Sequence, residues 1–316
     1  MIAFLFPGQG AQTVGMGQAL AEAHAEAAGA FEEADAAFAA AAATPGGPSL
    51  RRLCFEGPED QLTLTEHTQP AILAVSIAAA RVLEARGVRP QFVAGHSLGE
   101  YSANVAAGTF AFADAIGVVR RRGRYMQDAV PAGAGAMAAI LGLDVLEVRR
   151  ACEEAAEGDV VSPANINGPG QIVIAGTAAA VRRAGERAKA RGAKRVMPLA
   201  VSAPFHCALM KPAEARLEPE LRALDARDPR VPIVANVDAE PKREAWAAID
   251  ALVRQVSAPV RWDDVVRRLA SEGVTTYVEV GPGRVLGGLV RKIHPEATVL
   301  AFGGPADLEA ILHVEK

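Results

Sequence analysis

Short apolar runs alternate with longer Ala-rich stretches of helical period, the pattern of an α/β protein with a mostly parallel sheet. Ile2–Phe6 reads as a first strand broken by Pro7-Gly8, and residues 17–28 and 31–43 read as helices ended by Thr44-Pro45-Gly46-Gly47-Pro48. A long helix is expected over 70–86, closed by Gly87, then a strand over 92–94, and helices starting near Leu98 and Ala113.

From about Gly133 the rhythm changes. Residues 137–141 read as a strand, 144–156 as a helix capped by Asp144, and 160–164 as a strand. After the Asn167-Gly168-Pro169-Gly170 turn come a strand over 171–175, a helix capped by Thr177 and ended by Gly192, and a strand over 195–199. That β-α-β-β-α-β order is the order of a ferredoxin-like unit. The expected organisation is a large α/β domain of residues 1–132 and 201–316, with a small inserted domain over 133–200. The large domain then resumes with a helix from about Ala208 and strands at 233–236, 276–280 and 298–301.

Composition narrows the class. The 316 residues are half hydrophobic and 22% charged, enough to bury a sizeable core. The net charge of -4 gives no global field for nucleic acid or an anionic membrane, so neither is an expected partner. Cys54, Cys152 and Cys207 form no disulfide framework, which fits a reducing cytoplasm. The apolar run at the N-terminus is too short and unflanked for a signal peptide, and nothing approaches the ~20 apolar residues of a membrane span.

The strongest chemical signal is Gly95-His96-Ser97-Leu98-Gly99, a GxSxG motif between a strand and a helix. In a nucleophile elbow the glycines permit the tight turn, and the helix N-terminus lies under the reacting oxygen. The same turn could instead carry a Ser that only caps the helix. A hydroxyl needs a base. Among six histidines, His206 is the candidate, because Ser202-Ala203-Pro204-Phe205-His206 follows a predicted strand, where ligand sites form in parallel sheets. A buried structural histidine is the competing reading.

No acid completes a triad, since Asp238, Asp250, Asp263 and Asp264 all follow His206; a backbone or amide oxygen can orient the imidazole instead. The loop Pro7-Gly8-Gln9-Gly10 lacks the third glycine of a dinucleotide fingerprint. It can offer an N–H to an oxyanion, or be a plain turn. Arg120, Arg121, Arg122 and Arg124 share one helix, and only one face of it can point inward.

These motifs resemble those of the malonyl-coenzyme A:acyl carrier protein transacylases of fatty acid synthesis. The matching segments are GQGAQ at 8–12, GHSLGEYSA at 95–103, RRGRYMQ at 121–127, NINGPGQIVIAG at 165–176, SAPFHCALM at 202–210 and EVGPG at 279–283. The resemblance implies a hydrolase-like parallel-sheet domain with an inserted ferredoxin-like domain. It further implies Ser97 as acylated nucleophile, His206 as general base and acid, and the N–H groups of Gln9 and Leu98 as oxyanion hole. Arg122 would hold the malonyl carboxylate, Gln255 would orient His206 through its carbonyl oxygen, and Asn165 would lie near the site. Leu98 and Phe205 would narrow the acyl pocket in the malonyl-selective pattern.

The implied reaction is ping-pong transfer from malonyl-CoA to the phosphopantetheine thiol of acyl carrier protein, with no metal or cofactor, by a monomer. The carrier proteins are acidic, and the basic stretch from Arg182 to Arg195 is a candidate dock. Three other readings remain at this level: a thioesterase passing the acyl group to water, a malonyl-loading subunit with another carrier, and a catalytically silent scaffold.

Overall fold

The computed structural model describes residues 1–41, 47–201 and 203–313. The turn residues Thr44, Pro45 and Gly46, the end of the helix expected over 31–43, and Ser202 lie outside them. In chain order the strands are β1 (Ile2–Phe6), β2 (Phe92–Gly95), β3 (Gly135–Leu141), β4 (Val161–Gly168), β5 (Gln171–Thr177), β6 (Arg195–Pro198), β7 (Ile233–Val234), β8 (Pro241–Lys242), β9 (Thr276–Val280) and β10 (Thr298–Phe302). They form a six-stranded sheet, β10-β9-β1-β2-β7-β8, and a four-stranded one, β4-β5-β3-β6. The large sheet is parallel except at β8. The small one is antiparallel throughout, in the ferredoxin-like order.

Strand alternation explains why the large sheet is covered on both faces. In β1, Phe4 and Phe6 join the core under the helix Thr65–Ala85, while Ala3 and Leu5 join a second cluster around Trp262 and Val265. The small sheet divides in the same way. Ile140, Ile172 and Ile174 pack under the helices Val145–Ala156 and Ala178–Ala190. On its other face Met137, Val173 and Ala175 join the core of the large domain. Backbone bonds also tie the two sheets' neighbourhoods together: Ile166 N–H donates to Val260 O and Val260 N–H to Ala164 O, both at 2.8 Å.

Several elements differ from the sequence expectation. The long helix starts at Thr65, not Pro70. Pro70 is the sixth helical residue, inside the helix, where it removes the bond to the Glu66 carbonyl. Its first turn is fixed from outside, because a Cβ on Gly123 would come 2.6 Å from Thr65 O. The helix Gln18–Ala23 breaks at extended His24 before Ala25–Ala40 begins. Two short helices, Leu50–Phe55 and Glu59–Leu62, and the two-residue β8 were not anticipated, being too short to show a period. Strand β4 runs on to Gly168 instead of ending near Ala164, since its Asn165 and Asn167 alternate with buried Ala164 and Ile166.

Candidate active site

Parallel register brings two loops together. Phe6 at the end of β1 lies opposite Gly95 at the end of β2, so the Gly8-Gln9 loop and the Ser97 turn leave adjacent strand ends. They pack backbone against backbone. A Cβ on Gly8 would lie 2.4 Å from His96 O, and one on Gly99 would lie 2.0 Å from Phe6 O. A Cβ on Gly95 would lie 1.9 Å from the Gly99 carbonyl carbon. Only glycine fits at these positions. Between them Ser97 takes φ 52°, the left-handed conformation of a strained elbow.

That turn leads into the helix Gly99–Ala107. The N–H groups of Gln9 and Leu98, expected from the resemblance to serve an oxyanion, have no hydrogen-bond acceptor among the described residues. The Ser97 N–H is engaged elsewhere, by Asn236 Oδ1 at 2.7 Å.

The loop after β6 carries His206, itself at φ 59° and 3% exposed, back to this point. Its Nε2 lies 2.7 Å from Ser97 Oγ, and its Nδ1 lies 3.0 Å from the Gln255 carbonyl oxygen. A carbonyl only accepts, so Nδ1 carries the proton and the Nε2 lone pair faces the hydroxyl. The orienting group is thus a backbone oxygen, in keeping with the absence of a suitably placed acid. Asp238 is instead paired with Lys242 and Arg254. Burial, and then the Arg122 guanidinium, push the His206 pKa down to about 3, so the imidazole stays neutral at physiological pH.

Of the four arginines on the helix Phe112–Asp128, Arg122 alone is fully buried, at 1% exposure. Arg120 donates to Phe38 O, Arg121 pairs with Glu220, and Arg124 is exposed. Arg122 Nη1 donates to Gln69 Oε1 at 2.7 Å, and Nη2 to Gln255 Oε1 at 3.0 Å and to Ser97 Oγ at 3.3 Å. The ring of Tyr101 lies 5.2 Å beneath its guanidinium carbon. Its Nε is buried and has no acceptor among the described residues. A buried cation whose partners are two neutral amides, the Ser97 hydroxyl and an aromatic face, with one N–H unspent among the described residues, is a site for an anionic group. Burial lowers its pKa.

Ser97, His206 and Arg122 open on a cavity of about 140 Å³ that also touches Gln9, Asn165, Met126 and Phe205. The buried Asn165 Oδ1 has no partner among the described residues. His96 turns its Nε2 to Asn167 Oδ1 at 2.9 Å and its ring toward Trp262. Cys207 is 2% exposed, and burial pushes its thiol up to about 11, so it is no nucleophile.

Sequence reasoning missed Gln69, Asn236 and Glu100. All three are buried polar residues: Gln69 in an apolar helix, Asn236 just past β7, and Glu100 one turn after the elbow. For Gln69 and Asn236 a polar residue in an apolar context was the signal, and Glu100 lies within the GHSLGEYSA segment at 95–103. Burial pushes the Glu100 carboxyl up to about 7, against the pull of hydrogen bonds from Asn236 and Gln255.

A strained serine paired with a carbonyl-oriented histidine, on a parallel sheet with an inserted ferredoxin-like domain, defines an acyltransferase class. The profile of the acyl transferase domain family matches residues 3–297, and the chain belongs to that family. Within it, full-length relatives include malonyl CoA-acyl carrier protein transacylases. That of Escherichia coli strain K12 is 50% identical over 99% of both chains. That of Bacillus subtilis strain 168 is 46% identical over 100% of this chain and 97% of its own. A solved acyl carrier protein S-malonyltransferase from Vibrio cholerae superposes with a TM-score of 0.94 at 46% identity, covering 98% of this chain and 99% of that one. A malonyl-transacylase solved in complex with a type II PKS acyl-carrier protein gives 0.94 at 46% identity over 99% of both. No helix among the described residues is long and apolar enough to cross a membrane.

Proposed function

We propose that this chain transfers the malonyl group from malonyl-CoA to the phosphopantetheine thiol of acyl carrier protein through a malonyl-Ser97 intermediate. The observation that carries the reading is the Arg122 guanidinium 3.3 Å from a Ser97 Oγ that is itself 2.7 Å from His206 Nε2. Hydrolysis of an ordinary ester needs no buried cation beside the nucleophile; an acyl group with a distal carboxylate does.

In the first half-reaction His206 Nε2 takes the Ser97 proton as Oγ attacks the thioester carbonyl. The imidazolium is stabilised by its bond to Gln255 O, and the Gln9 and Leu98 N–H groups receive the oxyanion. Collapse expels the CoA thiolate, which takes from His206 the proton that Ser97 gave up and leaves as a thiol. The carrier thiol then attacks malonyl-Ser97 with the same base. Arg122 holds the malonyl carboxylate throughout, and Asn165 Oδ1, without a partner among the described residues, accepts a bond from the substrate. The domain division at 133–200 puts β3 to β6 in one unit whose inner face lines this cavity.

The dock for the carrier is narrower than the sequence suggested. Arg182, Arg183 and Arg191 are paired with acidic neighbours, whereas Arg187, Lys189, Lys194 and Arg195 have no ion pair among the described residues. We place an acidic carrier on those four, and the enzyme acting as a monomer in the cytoplasm.

The test follows the acyl group by intact mass. Malonyl-CoA should label the protein once, and holo carrier protein should discharge the label onto itself. Loss of the label to water at the same rate with or without carrier would make the protein a thioesterase and reject the reading.

A further inference from the structure

Two side-chain amides grip the strained Ser97 residue. Asn236 Oδ1 accepts the Ser97 N–H at 2.7 Å, and Gln255 Nε2 donates to the Ser97 carbonyl at 3.0 Å. The other end of the Gln255 amide, Oε1, accepts from Arg122 Nη2 at 3.0 Å. A carboxamide can sit either way round in such a space, and only one way round is useful here. Flipped, Gln255 would set an NH2 against the Arg122 guanidinium and an oxygen against the Ser97 carbonyl. Asn236 is fixed because its Nδ2 donates to Gly95 O at 2.7 Å. Gln255 Nε2 also lies 3.3 Å from Asn236 Oδ1, and its shortest bond is to a further group. Glu100 Oε2, from the first turn of the helix after the elbow and 1% exposed, accepts from Gln255 Nε2 at 2.8 Å and from Asn236 N–H at 2.9 Å.

We propose that Glu100 is a positioning residue for acyl transfer: its oxygen sets the Gln255 carboxamide, which then holds the Ser97 carbonyl with one end and Arg122 with the other. Through it the carboxylate-binding arginine and the nucleophile are aligned by one amide. The task needs an acceptor oxygen rather than a charge. Either protonation state of Glu100 supplies one, and a glutamine can supply one on the same atom path. The Gln255 backbone oxygen that orients His206 is a separate function of the same residue.

The inference rests on malonyl transfer, so wild type is first shown to take malonyl from malonyl-CoA; failure there removes both. Single-turnover acylation by malonyl-CoA and acetyl-CoA is then compared for Glu100→Met, which keeps length without an acceptor, and Glu100→Gln, which keeps one. Misplacement by a fraction of an ångström to an ångström is expected to slow malonylation of the folded Met variant about tenfold to a hundredfold and to reduce its malonyl-over-acetyl preference. Glu100→Gln should stay within about threefold of wild type on both. If Glu100→Met does not fold, Gln255→Met keeps the backbone oxygen, removes only the amide, and should give the same loss. A folded Glu100→Met or Gln255→Met with wild-type rate and preference overturns the proposal. A Glu100→Gln variant as slow as Glu100→Met also overturns it, because charge would then be what matters.

Discussion

Replacing Arg122 with alanine tests the selectivity of the site. The Arg122 guanidinium bonds Gln69, Gln255 and Ser97 Oγ and lies over the Tyr101 ring, with no carboxylate bound to it among the described residues, so a substrate carboxylate would be its first ion-pair partner. Removing one member of a buried charge pair costs about 2–5 kcal/mol. At about 1.4 kcal/mol per decade, kcat/KM for malonyl-CoA should fall by about thirtyfold to several thousandfold. Acetyl-CoA has no carboxylate and loses only what malonyl-CoA loses as well, the charge-assisted 3.3 Å contact to Oγ, about 1.5–3 kcal/mol, and the Gln255 bond beside it, so the malonyl-to-acetyl ratio should still fall. The assay is the initial rate of Ser97 acylation by each thioester at matched folded protein, with melting curves to confirm the fold. An unchanged malonyl-to-acetyl ratio would refute the role of Arg122, whatever happened to the absolute rates.

Three further outcomes follow from the same geometry. His206 cannot accept the Ser97 proton once protonated, and its pKa is lowered, so the acid limb of kcat/KM should lie well below the ordinary value of about 6.5. A limb near that value would contradict the buried, Arg122-flanked imidazole. In Gly99→Ala the new Cβ would meet Phe6 O at 2.0 Å, where only backbone can yield, so stability should drop by about 3 kcal/mol or more; a wild-type melting temperature would show that the two loops are not so closely packed. Reversing charge at Lys189 and Lys194 should raise the KM for carrier protein and leave acylation by malonyl-CoA unchanged; an unchanged KM would clear this face of the docking role.

The sequence carried those features whose physics is local. Ile2–Phe6 and Thr276–Val280 are fully buried or nearly so, bounded by breakers, and were placed at their true ends. Asp144 and Thr177 were legible as caps, and both accept from the backbone three residues on. Ser97 was legible because an elbow must have glycine on each side. Where Thr65–Ala85 begins was hidden by Pro70, which reads as a start signal although packing against Gly123 fixes the helix earlier. The extent of β4 was hidden because Asn167-Gly168-Pro169-Gly170 reads as a turn, while in the fold Asn165 lines the cavity and Asn167 bonds His96.

The binding network was the least legible part. Glu100, Asn236 and Gln255 are far apart in sequence, and nothing local says that one carboxylate oxygen will meet two of them. Gln255 and Arg122 were named through resemblance alone. The structure places both in direct contact with Ser97, through the Gln255 amide and the Arg122 Nη2.

The most direct test of the account is peptide mapping of the protein after brief exposure to malonyl-CoA, with Ser97→Ala and His206→Ala alongside. The account predicts malonyl on Ser97 alone in wild type, none in Ser97→Ala, greatly slowed labelling in His206→Ala, and discharge to a carrier thiol. Malonyl on another residue, or equal labelling of Ser97→Ala, would contradict it.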